Sequence, residues 1–291
     1  GNLDLLRRAI SKGLDLAGRC DLEVILLGDY CDNGLQVVEL LEYLSKEKWK
    51  DDFPGVTLRG ILGNHDMACL LALNPGEFGA DPNFLRRGKN RWEMWSQRFW
   101  TPGGETAHQY GSTTQEEFLV AFPSSHRNFL RSLPWYIESD QYIFVHAGLR
   151  KASEESVESQ LKYLSARNLS DMSGHTYGGG NYGIPDQLAH KGWCRDNDPE
   201  WKAVVVTGHN KYVHYSEDTG DSHHFVSSHR IGFHSCACSI LMNSSLPLHA
   251  ALLPRGPKGS TVWDYPPIMF SVRYDLPPSI TTRHMPGLDD T

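Results

Sequence analysis

The chain contains no run of about 18 apolar residues, the length a helix needs to cross a bilayer, so no membrane partner is expected. Cysteine is scarce, with six in 291 residues at Cys20, Cys31, Cys69, Cys194, Cys236 and Cys238, and their spacing does not resemble a disulfide framework. That usage points to a reducing, intracellular and cytoplasmic setting. Basic clusters are short, the longest being Arg7-Arg8 and Arg86-Arg87, and 28 Lys and Arg against 35 Asp and Glu leave a net charge of −7. A protein that neutralises phosphates along a nucleic-acid backbone needs the opposite balance, so nucleic acid is not an expected partner. Internal repeats and low-complexity tracts are absent as well. The sequence opens on Gly1 rather than Met, which leaves any targeting segment out of view.

What is present is a globular mixture of 40% hydrophobic and 22% charged residues, with fourteen histidines. Asn2 can cap a helix whose apolar residues Leu3, Leu6, Ile10, Leu14 and Ala17 recur at three- and four-residue intervals. A short apolar run from Leu22 to Leu27 stops at Gly28 and reads as a buried strand. A helix is expected around Leu35 to Lys48, then a strand from Gly55 to Leu62 that again stops at a glycine. The stretch from about Asn74 to Gly111 differs, being rich in Gly, Pro and Arg. Its Trp92, Trp95 and Phe99 at helical spacing suggest a helix that packs its aromatics on the body, or else a wall facing a substrate. Pro123 to Leu133 reads as a helix with proline in its first turn. Tyr142–Val145 and Ala203–Val206 read as buried strands, Ser170 to Gly183 as a flexible loop, and 256–291 as an irregular proline-rich tail. Strands alternating with helices imply an α/β layered domain over 1–255.

Chemistry-bearing residues sit directly after the apolar runs: Gly28-Asp29-Tyr30-Cys31-Asp32-Asn33-Gly34, Gly63-Asn64-His65-Asp66, His146-Ala147-Gly148 and Gly208-His209-Asn210. Ligands collect at strand ends in α/β sheets because the loops there converge on one edge. Asp, Asn and His together make a donor set suited to manganese, iron or zinc rather than calcium. One such turn is usually only a turn; four with this chemistry make a candidate metal centre. The later group His223, His224, His229, His234, Cys236 and Cys238 has no zinc-module spacing and reads as a loop with incidental histidines.

The order GD-x-x-D-x-G, GNH-D, HAG, GH resembles that of the calcineurin-like metallophosphoesterases, and within them the phosphoprotein phosphatases. GDYCD at 28–32, GNHD at 63–66, the stretch ending FPSSHRNFL at 121–130, VHAGL at 145–149, IPDQL at 184–188 and VVVTGH at 204–209 are most similar to the Rhizobiales-like phosphatase branch. The resemblance implies a four-layer sandwich of two mixed β-sheets flanked by helices. It implies two divalent ions (Mn, Fe or Zn), with Asp29 bridging both and Asn64, His146 and His209 completing the second. His65 would protonate the leaving oxygen, oriented by Asp32, while a bridging water acts as hydroxide. The implied substrate is a phosphorylated protein carrying phosphotyrosine, or phosphoserine or phosphothreonine.

The chain departs from the family pattern at two kinds of place. The family opens with GD-x-HG, whose Asp and His bind the first metal, whereas this sequence opens like the text after them. The expectation is a chain cut inside that motif, its first strand and two ligands missing, with Asp4 a poor substitute one turn into a helix. Asn33 stands where the family has a phosphate-contacting Arg, and an amide cannot give the bidentate charged contact. Asn64 and Asn33, with Arg59, Arg150 and Arg195 as possible compensators, are the phosphate-binding candidates. His234 occupies a position where the family commonly has Asp. Two other activities share the frame: a dinucleoside polyphosphate hydrolase, and a pseudophosphatase that binds phosphoprotein without turnover.

Overall fold

The computed structural model describes residues 1–18, 22–85, 88–96, 103–139, 141–172, 183–190, 203–209, 224–227, 230–233, 248–253 and 268–272. Asn2 caps the first helix, α1 (Leu3–Leu16), its side chain accepting the Leu5 N–H, and Leu3, Leu6 and Ile10 turn inward. Then follow β1 (Leu22–Leu26), α2 (Val37–Ser45), the single turn α3 (Trp49–Asp52) and β2 (Val56–Gly60). Next come α4 (Asn64–Leu73), α5 (Arg91–Ser96), α6 (Gly103–Gln109), α7 (Gln115–Ala121) and α8 (Ser124–Ser132). The chain continues through β3 (Tyr136–Glu138), β4 (Tyr142–Val145), α9 (Val157–Ala166), α10 (Asp186–Ala189) and β5 (Val204–Thr207). The last described elements are β6 (His224–Ser227), β7 (Arg230–Phe233), β8 (Leu248–Leu252) and β9 (Ile268–Val272).

β4 and β5 form as the expected buried strands, for a period-two reason, whereas β1, also expected to be buried, is half-buried along its length. In β4, Tyr142 and Phe144 join one apolar cluster with Ile61, Ile137, Val204 and Val206, while Ile143 and Val145 join the larger cluster on the opposite face with Val205. A strand covered on both faces reads as a continuous apolar run rather than an alternation. The five-stranded sheet has the order β3-β4-β5-β7-β6, with parallel pairs at its centre and antiparallel pairs at both edges. β1 and β2 pair in parallel, Leu22 opposite Val56 through Leu26 opposite Gly60. Beyond the end of β2, Ile61 N–H donates to Leu26 O at 2.9 Å and Leu62 N–H to Pro134 O at 2.9 Å, tying the chain after β2 to the approach to β3. The arrangement is α/β, with helices packed on mixed β-structure.

One expectation needs correction. Residues 256–291 are not wholly irregular: Ile268–Val272 is β9, antiparallel to β8 and packed with it against α1. Its run Ile268-Met269-Phe270-Ser271-Val272 has the β-branched and aromatic content of a strand, which the surrounding prolines masked. The helix expected from Trp92 through Phe99 is described only over α5, and Phe99 and Trp100 lie outside the described residues. So do the Ser173–Tyr182 part of the expected loop and His223, His229, His234, Cys236 and Cys238.

All ten residues of α4 are buried. Beyond its polar first turn, Met67 to Leu73 are apolar on every side, so this helix belongs inside the protein, where its rigidity supports what the first turn carries. Leu71 is 0% exposed on this helix, whereas Val120 at the end of α7 is 89% exposed. Leu71→Ala is expected to lower the unfolding free energy by about 2–5 kcal/mol, and Val120→Ala by less than about 0.5 kcal/mol. Urea unfolding of both variants measures the difference.

Candidate metal and phosphoester site

Two glycine turns meet back to back. Gly28 has φ 93°, and a Cβ there would lie 2.6 Å from Gly63 N and 2.9 Å from His146 Nδ1. On the other side, a Cβ on Gly63 would collide with the Asp29 carboxylate. Only glycine lets the turn after β1 touch the turn before α4. Asp66 then pins the contact. Its Oδ2 accepts N–H bonds from Asp29 at 2.8 Å and Gly63 at 2.9 Å, and its Oδ1 accepts one from Cys31 at 2.9 Å. In return, the His65 N–H in the first turn of α4 donates to Asp29 Oδ1 at 3.2 Å. Asp29, Asp32, Asn33 and His209 all hold left-handed backbone, with φ of 63°, 62°, 47° and 68°. Non-glycine residues adopt this region at a cost of about 1 kcal/mol or more each, and such strain clusters at functional sites.

Asp29, Asn64, His146 and His209 converge. His146 Nε2 lies 3.0 Å from Asn64 Oδ1, 3.2 Å from His209 Nδ1 and 3.3 Å from Asp29 Oδ2, and His209 Nδ1 lies 2.9 Å from Asn64 Oδ1. His146 Nδ1 donates to Leu27 O at 2.5 Å, which turns its other nitrogen into the cluster. Carboxylate, amide oxygen and two imidazoles are therefore crowded within contact distance of one another, an arrangement that needs positive charge at its centre. Adjacent ligands at about 2.1 Å from an octahedral ion stand about 3 Å apart, so the donor spacing as well as the donor chemistry suits a divalent cation. The electrostatics agree. Burial raises the Asp29 pKa, but the facing charges of His146 and His65 outweigh it and hold that carboxyl well below the usual range. Burial works against charge on His146, yet Asp29 and the Leu27 carbonyl raise its affinity for a proton. For Asp66, burial and the Asp29 charge push the carboxyl up against its three N–H bonds.

Beside the cluster stands a second arrangement. His65 Nδ1 meets Asp32 Oδ2 at 2.8 Å, with His65 8% and Asp32 1% exposed. Burial disfavours the imidazolium, but the Asp29 charge and the Asp32 hydrogen bond raise its pKa to about 9. A cation seated in the cluster would neutralise Asp29 and bring His65 back toward neutrality. Sequence reasoning did not find the groups that hold Asp32. Trp95 Nε1–H donates to Asp32 Oδ2 at 3.1 Å and Thr106 Oγ1–H donates to Asp32 Oδ1 at 2.7 Å. Asp66, which pins the two turns, is a further group whose role sequence reasoning did not find, and its place three residues after Gly63, at the start of a helix, is the sequence signal for it.

The phosphate candidates are not brought together. Asn33 follows Asp32 beside the site. Arg59 is the penultimate residue of β2, five residues before Asn64, and its guanidinium meets Glu23 at 3.1 Å. Strand pairing places it opposite Ile25, one pair before the strand ends, but the ion pair draws its guanidinium back toward the start of β1. Arg150 follows the HAG turn closely, but its guanidinium is drawn to Asp186 at 2.6 Å. Arg195 lies outside the described residues. Asp4 is not in the cluster: its carboxylate accepts from Gln36 Nε2 at 3.0 Å, joining α1 to the start of α2.

With this geometry in hand, comparison with known proteins gives the class. The family model of the calcineurin-like phosphoesterases matches residues 1–226, and the chain belongs to that family. It therefore has the calcineurin-like α/β sandwich of that family. No curated protein sequence matches it. Among solved structures it is similar to the cold-active protein-tyrosine phosphatase of a psychrophile, Shewanella sp., at 14% identity and a TM-score of 0.43, covering 78% of this chain and 64% of that one. A point mutant of a cold-active protein tyrosine phosphatase gives 14% identity and a TM-score of 0.44, with 84% and 71% covered. The chain thus spans about 64% of the length of the first of these neighbours. Among the described residues no helix is long and apolar enough to cross a membrane.

Replacing Asp66 by Ala would strand three backbone N–H groups around Asp29. The expected result is a 10–100-fold loss of divalent-metal affinity, of the order seen for other outer-layer partners. Calorimetric titration with Mn²⁺ measures it; unchanged affinity would show that the turn keeps its shape without Asp66.

Proposed function

We propose that the chain is a metal-dependent phosphoprotein phosphatase that hydrolyses phosphotyrosine, with phosphoserine and phosphothreonine as the related esters. The observation that supports this reading is the adjacency of a four-donor metal cluster and a buried His–Asp pair, linked through the consecutive residues Asn64 and His65. Family membership supplies the hydrolytic class, and the motif order, which resembles the phosphoprotein phosphatases, supplies the protein substrate.

Asp29, Asn64, His146 and His209 would hold the metal. Bound divalent ions of the Mn, Fe or Zn class supply Lewis-acid polarisation and acidify a water. The remaining work falls to the chain. Asp32 engages Nδ1 of His65, so the proton that His65 can deliver is the one on Nε2. That proton passes to the ester oxygen as its bond to phosphorus breaks. Asn33, the neutral residue after Asp32, would orient phosphate by hydrogen bonding without the charge of an arginine.

The test is turnover of a phosphotyrosine peptide with Mn²⁺, against diadenosine tetraphosphate as the competing substrate. Peptide hydrolysis is expected; preference for the dinucleotide would reassign the enzyme, and metal-dependent binding of phosphopeptide without turnover would make it a binding protein. His65→Asn is expected to lower kcat by about 10²–10⁴-fold with metal content unchanged. Asp29→Asn should lose both metal and activity. Elemental analysis beside the kinetics separates the roles, since a metal-depleted His65→Asn protein would make His65 a ligand instead of an acid.

A further inference from the structure

We propose that Trp95 and Thr106 are positioning residues for the His65–Asp32 pair, which makes α5 and α6 part of the proton-delivery apparatus; the inference rests on the phosphatase reading above. Asp32 Oδ2 is shared by two donors, His65 Nδ1 at 2.8 Å and Trp95 Nε1 at 3.1 Å. Its other oxygen takes the Thr106 hydroxyl at 2.7 Å, while the Asp32 N–H donates back to Thr106 Oγ1 at 2.7 Å. That reciprocity directs the single hydroxyl hydrogen of Thr106 at the carboxylate, and it ties the side chain of Asp32 to its own backbone. The carboxylate plane is thereby fixed at both oxygens, and with it the direction in which the imidazole presents Nε2.

The supports are themselves rigid. Trp95 is 2% and Thr106 0% exposed, so water cannot take either place. The Trp95 ring packs on Trp92 at 5.6 Å and on Phe118 at 5.2 Å. One turn beyond Thr106 on α6, Gln109 donates to Gly34 O at 2.6 Å and accepts from Val37 N–H at 2.8 Å, so the same helix grips the loop on the far side of Asp32. Packing alone would be served by Phe and Val. Buried N–H and O–H groups are costly unless paired, and both of these are paired with the carboxylate that holds the His65 ring. A left-handed Asp32, with φ 62°, needs such outside support to hold one side-chain direction.

The consequence is specific to proton delivery. A misdirected His65 should slow esters whose leaving oxygen needs a proton and spare those whose leaving group departs as an anion. Thr106→Val, which matches the shape without the hydroxyl, and Trp95→Phe are measured in the metal-loaded full chain on phenyl phosphate and on 2,4-dinitrophenyl phosphate. For phenyl phosphate kcat is expected to fall about 10–100-fold at constant KM, and for the dinitrophenyl ester less than about threefold. Thr106→Ser should restore the phenyl phosphate rate. In the metal-free protein, the hydrogen-bonded Nδ1 proton of His65, assigned by its loss in His65→Gln, should exchange faster with water in Thr106→Val. Equal falls on both esters, an unchanged Nδ1 proton, or a Thr106→Ser protein as slow as Thr106→Val would overturn the positioning role. No turnover of either ester by the unsubstituted protein would instead overturn the phosphatase reading, and the proton exchange would then decide the positioning role by itself.

Discussion

The contact between the Gly28-Asp29 turn and the Gly63-Asn64 turn is the constraint on which the site depends. Two backbones approach so closely that neither position tolerates a Cβ, and the Asp66 carboxylate locks them with three N–H bonds. Everything chemical is referred to that joint. It sets Asp29 against the first turn of α4, puts Asn64 and His65 on the same rigid helix, and leaves His146 and His209 to close the cluster from the neighbouring sheet. An error there would displace ligand and acid together.

The joint concentrates negative charge where water is scarce. Asp29, Asp32 and Asp66 lie within a few residues of each other in space, each answered differently. Asp66 is satisfied by backbone donors. Asp32 is satisfied by Trp95, Thr106 and His65. Asp29 faces imidazoles that gain affinity for protons from its charge, which is the electrostatic signature of a place where a cation belongs. The left-handed backbones at Asp29, Asp32, Asn33 and His209 add conformational strain that the buried α4 and the two-sided core of β4 and β5 must offset. Stability in this protein is built at a distance from the chemistry and used up near it.

The segment between α4 and α8 gains its meaning from the same arrangement. Its unusual content of Gly, Pro, Arg and Trp suggested either a packed helix or a substrate wall, and α5 fits neither description alone. Trp95 is packed among Trp92 and Phe118, yet its indole N–H reaches Asp32. A helical segment packed on α2 and α4 thus supplies donors that the strand-end motifs do not contain.

How far the sequence went follows from what kind of information each feature carries. The helix capped by Asn2 and the apolar runs of β1, β2, β4 and β5 were legible because periodicity and capping are local. The four strand-end motifs were legible for a similar reason: a glycine turn after an apolar run marks a sheet edge, and Asp, Asn and His at such an edge mark metal chemistry. What stayed hidden depends on long-range approach. β9 was hidden among prolines because a strand is defined by its partner, here β8. Arg59 looked close to the site in sequence, but its guanidinium is held by Glu23, while Arg150 is near the HAG turn and is taken by Asp186. Trp95 and Thr106 stand 63 and 74 residues after Asp32, and no spacing rule links an indole or a hydroxyl to a carboxylate at that distance. Local order fixes which residues end each strand. Only the folded packing decides which distant side chains share one carboxylate, because directional hydrogen bonds form where the core has already brought the elements together.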